Sequence, residues 1–255
     1  MLNITEYIEI FHLLFLQHLT NKLDKSLYSL KGGCNLRFFF KSIRYSEDID
    51  LDVRIIQKET LRNKINKLLN SYDFKNCIKN YHIEINQISE PKQTETTQRW
   101  KINLKIANIA NQVHTKIEFS KRHDFNKEDT NFTKIDSLLI QKYKTIPIII
   151  NHYNIKAMFN QKINALINRT ETQARDVFDL QLLIDAGASL KDLDLSLKKQ
   201  LPIAIENLTN ISFANFKSQV VSYLMFEYQN YYNTEQTWQK IQLQLKNLLS
   251  TKKIL

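Results

Sequence analysis

Asp48, Asp50 and Asp52 occupy alternate positions in the run Asp-Ile-Asp-Leu-Asp-Val, and two of the three glycines in the chain, Gly32 and Gly33, stand side by side shortly before them. Strict alternation predicts a strand in which the carboxylates share one face while Ile49, Leu51 and Val53 point into a core. Neighbouring carboxylates on that face are about 6.6 Å apart along the strand, close enough to repel. A divalent cation removes that repulsion, and Mg²⁺ favours a few carboxylates together with phosphate oxygens and water. An acidic, solvent-facing edge strand accounts for the same triplet. The Gly-Gly pair, set where a strand gives way to a helix, lets backbone approach an anion and aims open helix-start amides at it. A tight turn needing positive φ is the other account of the pair. Together the two features make a phosphate cradle and a metal clamp in one supersecondary unit, which is chemistry suited to a metal-bound triphosphate.

Two metal ions flanking a reacting phosphate and its nucleophile call for a third carboxylate. Glu118 fits that role. In residues 113 to 120, Val113, Ile117 and Phe119 alternate with His114, Lys116, Glu118 and Ser120, so a strand here lying beside Asp48–Val53 presents Glu118 to the same face. A surface pair of Glu118 with Lys116 or Lys105 is the alternative.

These residues must be positioned by the surrounding elements. Apolar residues from Tyr7 to Leu23 recur at helical spacing, predicting an amphipathic helix over about residues 5 to 25. A short strand at Leu27–Leu30 runs into the glycines, with one or two helical turns over Leu36–Phe40 and a further helix over residues 57 to 70. Tyr81, Ile83 and Ile85, then Trp100, Ile102, Leu104 and Ile106, alternate with polar residues, as half-buried strands of an antiparallel or mixed sheet do. Pro91 is placed in a loop between two of those strands. Beyond about residue 135 the pattern is mostly helical, broken by Pro147 beside an Ile-rich run and by Pro202. This predicts an α+β protein with a sheet-bearing core domain at residues 1 to 135 and a helical C-terminal domain at 136 to 255.

Hydrophobic residues make up 43% and charged residues 24% of the 255 positions, the composition of a chain that folds. The early apolar run Ile10–Leu16 is too short to span a bilayer. Glu6 and Glu9 stand where a signal peptide needs basic residues, so the expected location is the cytoplasm, with no membrane partner. Cys34 and Cys77 are too few for a disulfide framework and read as plain thiols. The net charge of +10 favours polyanionic partners such as RNA or nucleoside triphosphates. A lysine-rich solubilising surface gives the same number, and the abundant Asn, Lys and Ile are also a product of codon composition.

The order Gly32-Gly33, Arg44-Tyr45-Ser46-Glu47-Asp48-Ile49-Asp50, then a later strand acid, resembles the polymerase-β-like nucleotidyltransferase superfamily, whose signature is Gly-Gly or Gly-Ser followed by Asp-hydrophobic-Asp. Within it the chain is most similar to the AbiEii/AbiGii toxin family, nucleotidyltransferase toxins of abortive-infection and toxin–antitoxin systems. The similarity is carried by Lys31-Gly-Gly-x-Asn-Leu-Arg37 and Arg44-x-Ser-Glu-Asp-Ile-Asp-Leu-Asp52. A second block, Lys162-Ile-Asn-Ala-Leu-Ile-Asn-Arg169 followed by Arg175-Asp-Val-Phe-Asp-Leu180, resembles the family's helical motif. The resemblance extends over about residues 27 to 185.

Read without the family, Lys162 and Arg169 lie seven apart on one helix face, and Thr170-x-x-Gln173 has the form of a capping box that restarts a helix. Asp176 and Asp179 then share a face of that next helix. A salt-bridge cluster explains these residues structurally, and for Arg175 and Asp179 it is the preferred reading.

The resemblance implies a polymerase-β-like nucleotidyltransferase core with a mixed sheet, followed by a helical lobe. It implies that Asp48 and Asp50 bind catalytic Mg²⁺ at a two-metal site with Glu118 as the third acid, that Gly32, Gly33, Ser46 and Lys162 contact the nucleotide, and that Asp176 is catalytic. Cys34 departs from the usual Ser or Thr after the glycines, which weakens a hydroxyl contact to phosphate and leaves the backbone amides. The implied reaction moves a nucleoside monophosphate from an NTP to an acceptor, releasing pyrophosphate, with RNA such as a tRNA 3′ end as acceptor and a cognate antitoxin as partner. A protein or small-molecule acceptor, or a non-catalytic RNA- or protein-binding module on the same fold, are the alternatives.

Overall fold

The computed structural model describes residues 2–107, 109–121 and 127–250. The chain divides into two compact units, Met1–Lys41 with Tyr45–Tyr153, and Ser42–Arg44 with Asn154–Leu255.

The first unit contains strands β1 (Tyr28–Lys31), β2 (Asp48–Val53), β3 (Ile83–Gln93), β4 (Thr97–Ile106), β5 (Val113–Lys121), β6 (Thr130–Lys134) and β7 (Ile149–Tyr153). Its helices are α1 (Ile4–Lys22), α2 (Gly32–Phe39), α3 (Lys58–Asn70), α4 (Tyr72–Lys79) and α5 (Ser137–Tyr143). All seven strands join one mixed sheet in the order β3-β4-β5-β2-β1-β7-β6. At its centre β2 runs antiparallel to β1 and parallel to β5. The alternation in β2 does what its sequence requires: Ile49, Leu51 and Val53 enter the core and the three acids take the other face.

Helix α1 opens on a capping box in which the Asn3 side chain accepts from Glu6 N and the Glu6 carboxylate accepts from Asn3 N. It is apolar over most of its circumference, as befits a helix buried against β5 and against α3 and α4. One polar pair is carried inside with it. Glu9 accepts from Arg37 Nε at 2.6 Å and from the Tyr143 hydroxyl at 2.5 Å, so a buried charge is matched from two other helices.

Three local expectations in this unit are corrected. The helix placed over residues 36 to 40 begins at Gly32, because β1 passes directly into it with Lys31 as the N-cap. Pro91 lies inside β3, an edge strand whose register shifts between Ser89 and Lys92, the setting in which a strand accommodates a residue without an amide proton. The Ile-rich run supplies β7, which pairs with both β1 and β6. That pairing belongs to the first compact unit, which runs to Tyr153.

The second unit is helical: α6 (Ile155–Asn168), α7 (Ala174–Asp185), α8 (Leu195–Lys198), α9 (Leu201–Thr209), α10 (Phe213–Gln219), α11 (Phe226–Tyr232) and α12 (Glu235–Leu249). Residues 251–255 of the expected C-terminal domain lie outside the described residues. The Asn154 side chain caps α6 by accepting from Ala157 N. The predicted capping box at Thr170 is not formed, since Gln173 is the N-cap of α7 and makes no side-chain cap bond. Trp238 of α12 stacks on Phe216 of α10 at 4.4 Å and donates its indole N–H to Ile211 O, tying the last helix into this core. Among the described residues no helix is long and apolar enough to cross a membrane.

Candidate active site

The centre of the sheet brings acids and bases from three strands to one face. In the parallel pairing of β2 with β5, Asp48 stands opposite Lys116, Asp50 opposite Glu118, and Asp52 opposite Ser120. Because both strands have a two-residue side-chain period, direct register partners project to the same side. Glu118 therefore shares the face of Asp48 and Asp50. On the other flank, antiparallel β1 sets Lys31 opposite Asp50.

Gly32 adjoins this face with φ +68°, and a Cβ placed on it would lie 3.1 Å from Asp50 Oδ2. Glycine is therefore required twice here, once by the backbone angle and once by the closeness of the carboxylate. Gly33 is the next residue of α2. No side chain caps the start of that helix, so its first amides remain as donors for an anion.

The acids are in different electrostatic states. Asp50 has a raised pKa because burial disfavours its charge, with Asp48 and Glu118 adding to the effect and Lys116 and Lys31 opposing it. Glu118 accepts from Arg99 Nε at 2.6 Å. Lys116 Nζ lies 3.1 Å from Asp48 Oδ2 and 3.8 Å from Glu118 Oε2; of the two lysines weighed as partners of Glu118, Lys116 is present, whereas Lys105 stands opposite Glu84 and the second cation at Glu118 is Arg99. Asp52 is fully buried, held by Lys31 at 2.5 Å and by the Tyr153 hydroxyl at 2.7 Å. Its role is structural while Asp48 and Asp50 remain accessible in part.

Ser46 directs its hydroxyl to Asp48 O at 2.9 Å, within the approach to β2. Cys34 is buried, and its Sγ lies 3.3 Å from the same carbonyl and 3.4 Å from His12 Nδ1. His12, also buried, contacts the Thr115 hydroxyl through Nε2 at 2.7 Å, and Thr115 donates to Glu47 O. Since the Thr115 proton goes to Glu47, His12 Nε2 is the donor of that pair, and Nδ1 lies unprotonated beside the Cys34 sulfur, whose own proton is directed to Asp48 O. Burial holds the His12 pKa down to about 3, consistent with a neutral ring. In the sequence His12 is simply one position within the helical pattern of residues 5 to 25. Its contacts join α1 to β5 and to the main chain before Asp48, a relationship no local pattern encodes.

The second unit holds the other residues singled out from the sequence. Lys162 is buried and donates to Asp176 Oδ1 at 2.8 Å and to Asp179 Oδ2 at 2.6 Å. Arg44 makes a forked contact to Asp179, its terminal nitrogen 3.0 and 2.9 Å from the two oxygens. Arg169 Nε lies 3.2 Å from Asp176 Oδ2, although that oxygen has no partner of hydrogen-bonding geometry among the described residues. Lys162 and Arg169 thus act from one face, as their spacing predicts. Arg44 was read as part of a motif, with no hint that it would join Asp179.

Among the described residues no three His, Cys, Asp or Glu side chains converge into a ready metal cage. The donors that could hold one are the carboxylates of Asp48, Asp50 and Glu118, hard oxygens of the kind Mg²⁺ takes. A cation, Lys116, already stands among them, which agrees with a face that favours positive charge.

The mixed sheet thus brings two alternating acids, a partner-strand acid and a glycine-started helix together at its centre. Solved structures with the same fold include JHP933 from Helicobacter pylori, 18% identical with a TM-score of 0.58 over 94% of this chain and 92% of that one. A proposed nucleotidyltransferase from H. pylori is 18% identical with a TM-score of 0.59 over 94% of this chain and 96% of its own. The chain belongs to the AbiEii family, described as nucleotidyl transferase toxins of type IV toxin–antitoxin systems, whose profile matches residues 14–220. No curated protein matches it significantly.

Proposed function

We propose that this enzyme transfers a nucleoside monophosphate from an NTP to an RNA acceptor, such as a tRNA 3′ end, with Mg²⁺ held by Asp48, Asp50 and Glu118. The register of Asp50 against Glu118, with Asp48 two residues earlier on the same face, is the observation that carries this reading. Bound Mg²⁺ supplies charge neutralisation at the phosphates and activation of the acceptor hydroxyl. The protein's own groups supply position. Gly32 and Gly33 leave room for a phosphate against the α2 amides, and the Asp48 main chain is fixed by Ser46, so its carboxylate has one anchor point. Ser46 holds that approach through its bond to Asp48 O, and its place there supports a contact to the nucleotide.

Lys162 makes two of the three hydrogen bonds an ammonium can donate, and its third is our candidate contact to a nucleotide phosphate. Asp176 is the residue that aims it. The net charge of +10 supports an RNA acceptor over a neutral one. A cognate antitoxin and a cytoplasmic setting belong to the same proposal, supported by membership of a toxin–antitoxin family.

The test is incorporation of labelled NTP into total RNA, into protein and into neither, with Mg²⁺ and with EDTA. Label in RNA that depends on Mg²⁺ and is lost in Asp50→Asn is the expected result. Label in protein alone moves the acceptor to another class, and no transfer with any NTP leaves a binding module.

A further inference from the structure

One cation reaches the acids of the sheet face from within the face itself. Lys116 is the β5 residue opposite Asp48, and its ammonium bridges Asp48 at 3.1 Å and Glu118 at 3.8 Å. The neighbouring cations are differently placed. Lys31 stands opposite Asp50 but carries its ammonium to the buried Asp52 at 2.5 Å. Arg99 meets Glu118 from β4 at 2.6 Å, on the side of β5 away from β2. Lys116 alone among these three is shared between two of the carboxylates assigned to metal.

Its side chain is 25% exposed and that of Asp48 35%, so the pair sits at the edge of solvent and can separate without unpacking the core. A divalent ion at these carboxylates would meet the like charge of the ammonium at close range. An ammonium on Asp48 Oδ2 and a divalent ion on the same carboxylate repel, so each weakens the other's hold.

We propose that Lys116 is an exchangeable counter-cation: it neutralises Asp48 and Glu118 when the face carries no divalent ion, and releases Asp48 when one binds. The freed ammonium is then positioned for an anionic phosphate oxygen of the nucleotide. This inference rests on the reading of Asp48, Asp50 and Glu118 as metal ligands. It assigns to Lys116 a part in metal entry that spacing alone does not show.

Calorimetric titration of Mn²⁺ or Mg²⁺ into the parent, Lys116→Met and Lys116→Arg, with thermal midpoints in EDTA, tests it without reference to turnover. Lys116→Met keeps the length and removes the charge. It is expected to melt below the parent in EDTA, where the carboxylates lose their counter-ion, and to bind the divalent ion at least about fivefold more tightly, the competitor being gone. Lys116→Arg should bind like the parent. An unchanged or weaker affinity in Lys116→Met overturns the exchange.

A measurement on the parent covers the case in which Lys116→Met does not fold. Amine-reactive labelling read by peptide mass spectrometry should rise at Lys116 when Mg²⁺ alone is added, relative to exposed Lys101. No rise overturns the proposal. Absence of any divalent binding to the parent overturns the metal-ligand reading and this one with it, whereas equal binding in parent and Lys116→Met removes only the exchange.

Discussion

Gly32 and Asp50 meet so closely that a side chain on the glycine would press on the carboxylate: a Cβ there would stand 3.1 Å from Asp50 Oδ2 and 3.7 Å from Asp50 Cβ, at a φ of +68°. Gly32→Ala should therefore act on both backbone and site. The left-handed angle costs about 1–2 kcal/mol for alanine, a fall in melting temperature of a few degrees. The displaced carboxylate should cost more in function, and transfer should fall by more than about tenfold, as a small misplacement of a reacting group does. Comparing the thermal midpoint with the transfer rate checks this; a variant that melts lower yet turns over normally would show that Asp50 tolerates displacement.

Asp50→Asn removes a charge while keeping the shape. Burial, with Asp48 and Glu118 nearby, makes that charge unfavourable in the metal-free protein. In EDTA the variant should melt at the parent's temperature or above it. Saturating Mg²⁺-NTP should raise the parent's midpoint and hardly affect the variant, because ligand stabilisation follows affinity for the native state. Equal shifts in the two proteins would make Asp50 a structural residue.

Lys162 separates structural from chemical roles by a different route. Its ammonium is shared by buried Asp176 and Asp179, so Lys162→Met leaves two interior carboxylates with less compensation. Breaking one partner of such a cluster costs about 3–5 kcal/mol, which corresponds to a fall in melting temperature of about 6–20 °C for a chain of this size. A phosphate contact adds a second signature, a raised KM for NTP measured below the melting range. A lower midpoint with unchanged KM confines Lys162 to the ion cluster.

The same cluster sets a pH dependence of stability. Burial alone would raise the Asp179 pKa, but Arg44 and Lys162 reverse this and hold it below the ordinary 3.8. Its contribution is therefore complete above that value and is lost as the pH falls through the depressed folded value. Burial lowers the Lys162 pKa, and Asp176 and Asp179 outweigh that to raise it above 10.5, so its contribution is complete below 10.5 and lost as the pH rises beyond. The melting difference between parent and Asp179→Asn should be steady from about pH 5 to pH 9 and shrink below about pH 4. A difference that persists undiminished at low pH would assign Asp179 a hydrogen-bonding role without charge.

Much of this protein is legible in its sequence because the determining interactions are local. The alternation Asp-Ile-Asp-Leu-Asp-Val specifies a strand and sorts its two faces, since the side-chain period of a strand is two whatever lies beside it. The adjacent glycines mark a backbone position that other residues resist, and the seven-residue spacing of Lys162 and Arg169 sets them on one helical face. The motif order also points to the family. What the chain could not specify locally is which strand lies beside which, and so what each charge meets. Register between β2 and β5 sets Glu118 opposite Asp50 and Lys116 opposite Asp48 across a separation of more than sixty residues. Burial, a property of the assembled sheet, turns Asp52 from a third acid of the series into the partner of Lys31 and Tyr153. Pro91 reads as a loop residue by its missing amide proton and becomes a strand residue because β3 is an edge with a shifted register. Tertiary structure decided these points because pairing and desolvation depend on neighbours distant in the chain, whereas alternation and backbone freedom belong to the residues themselves.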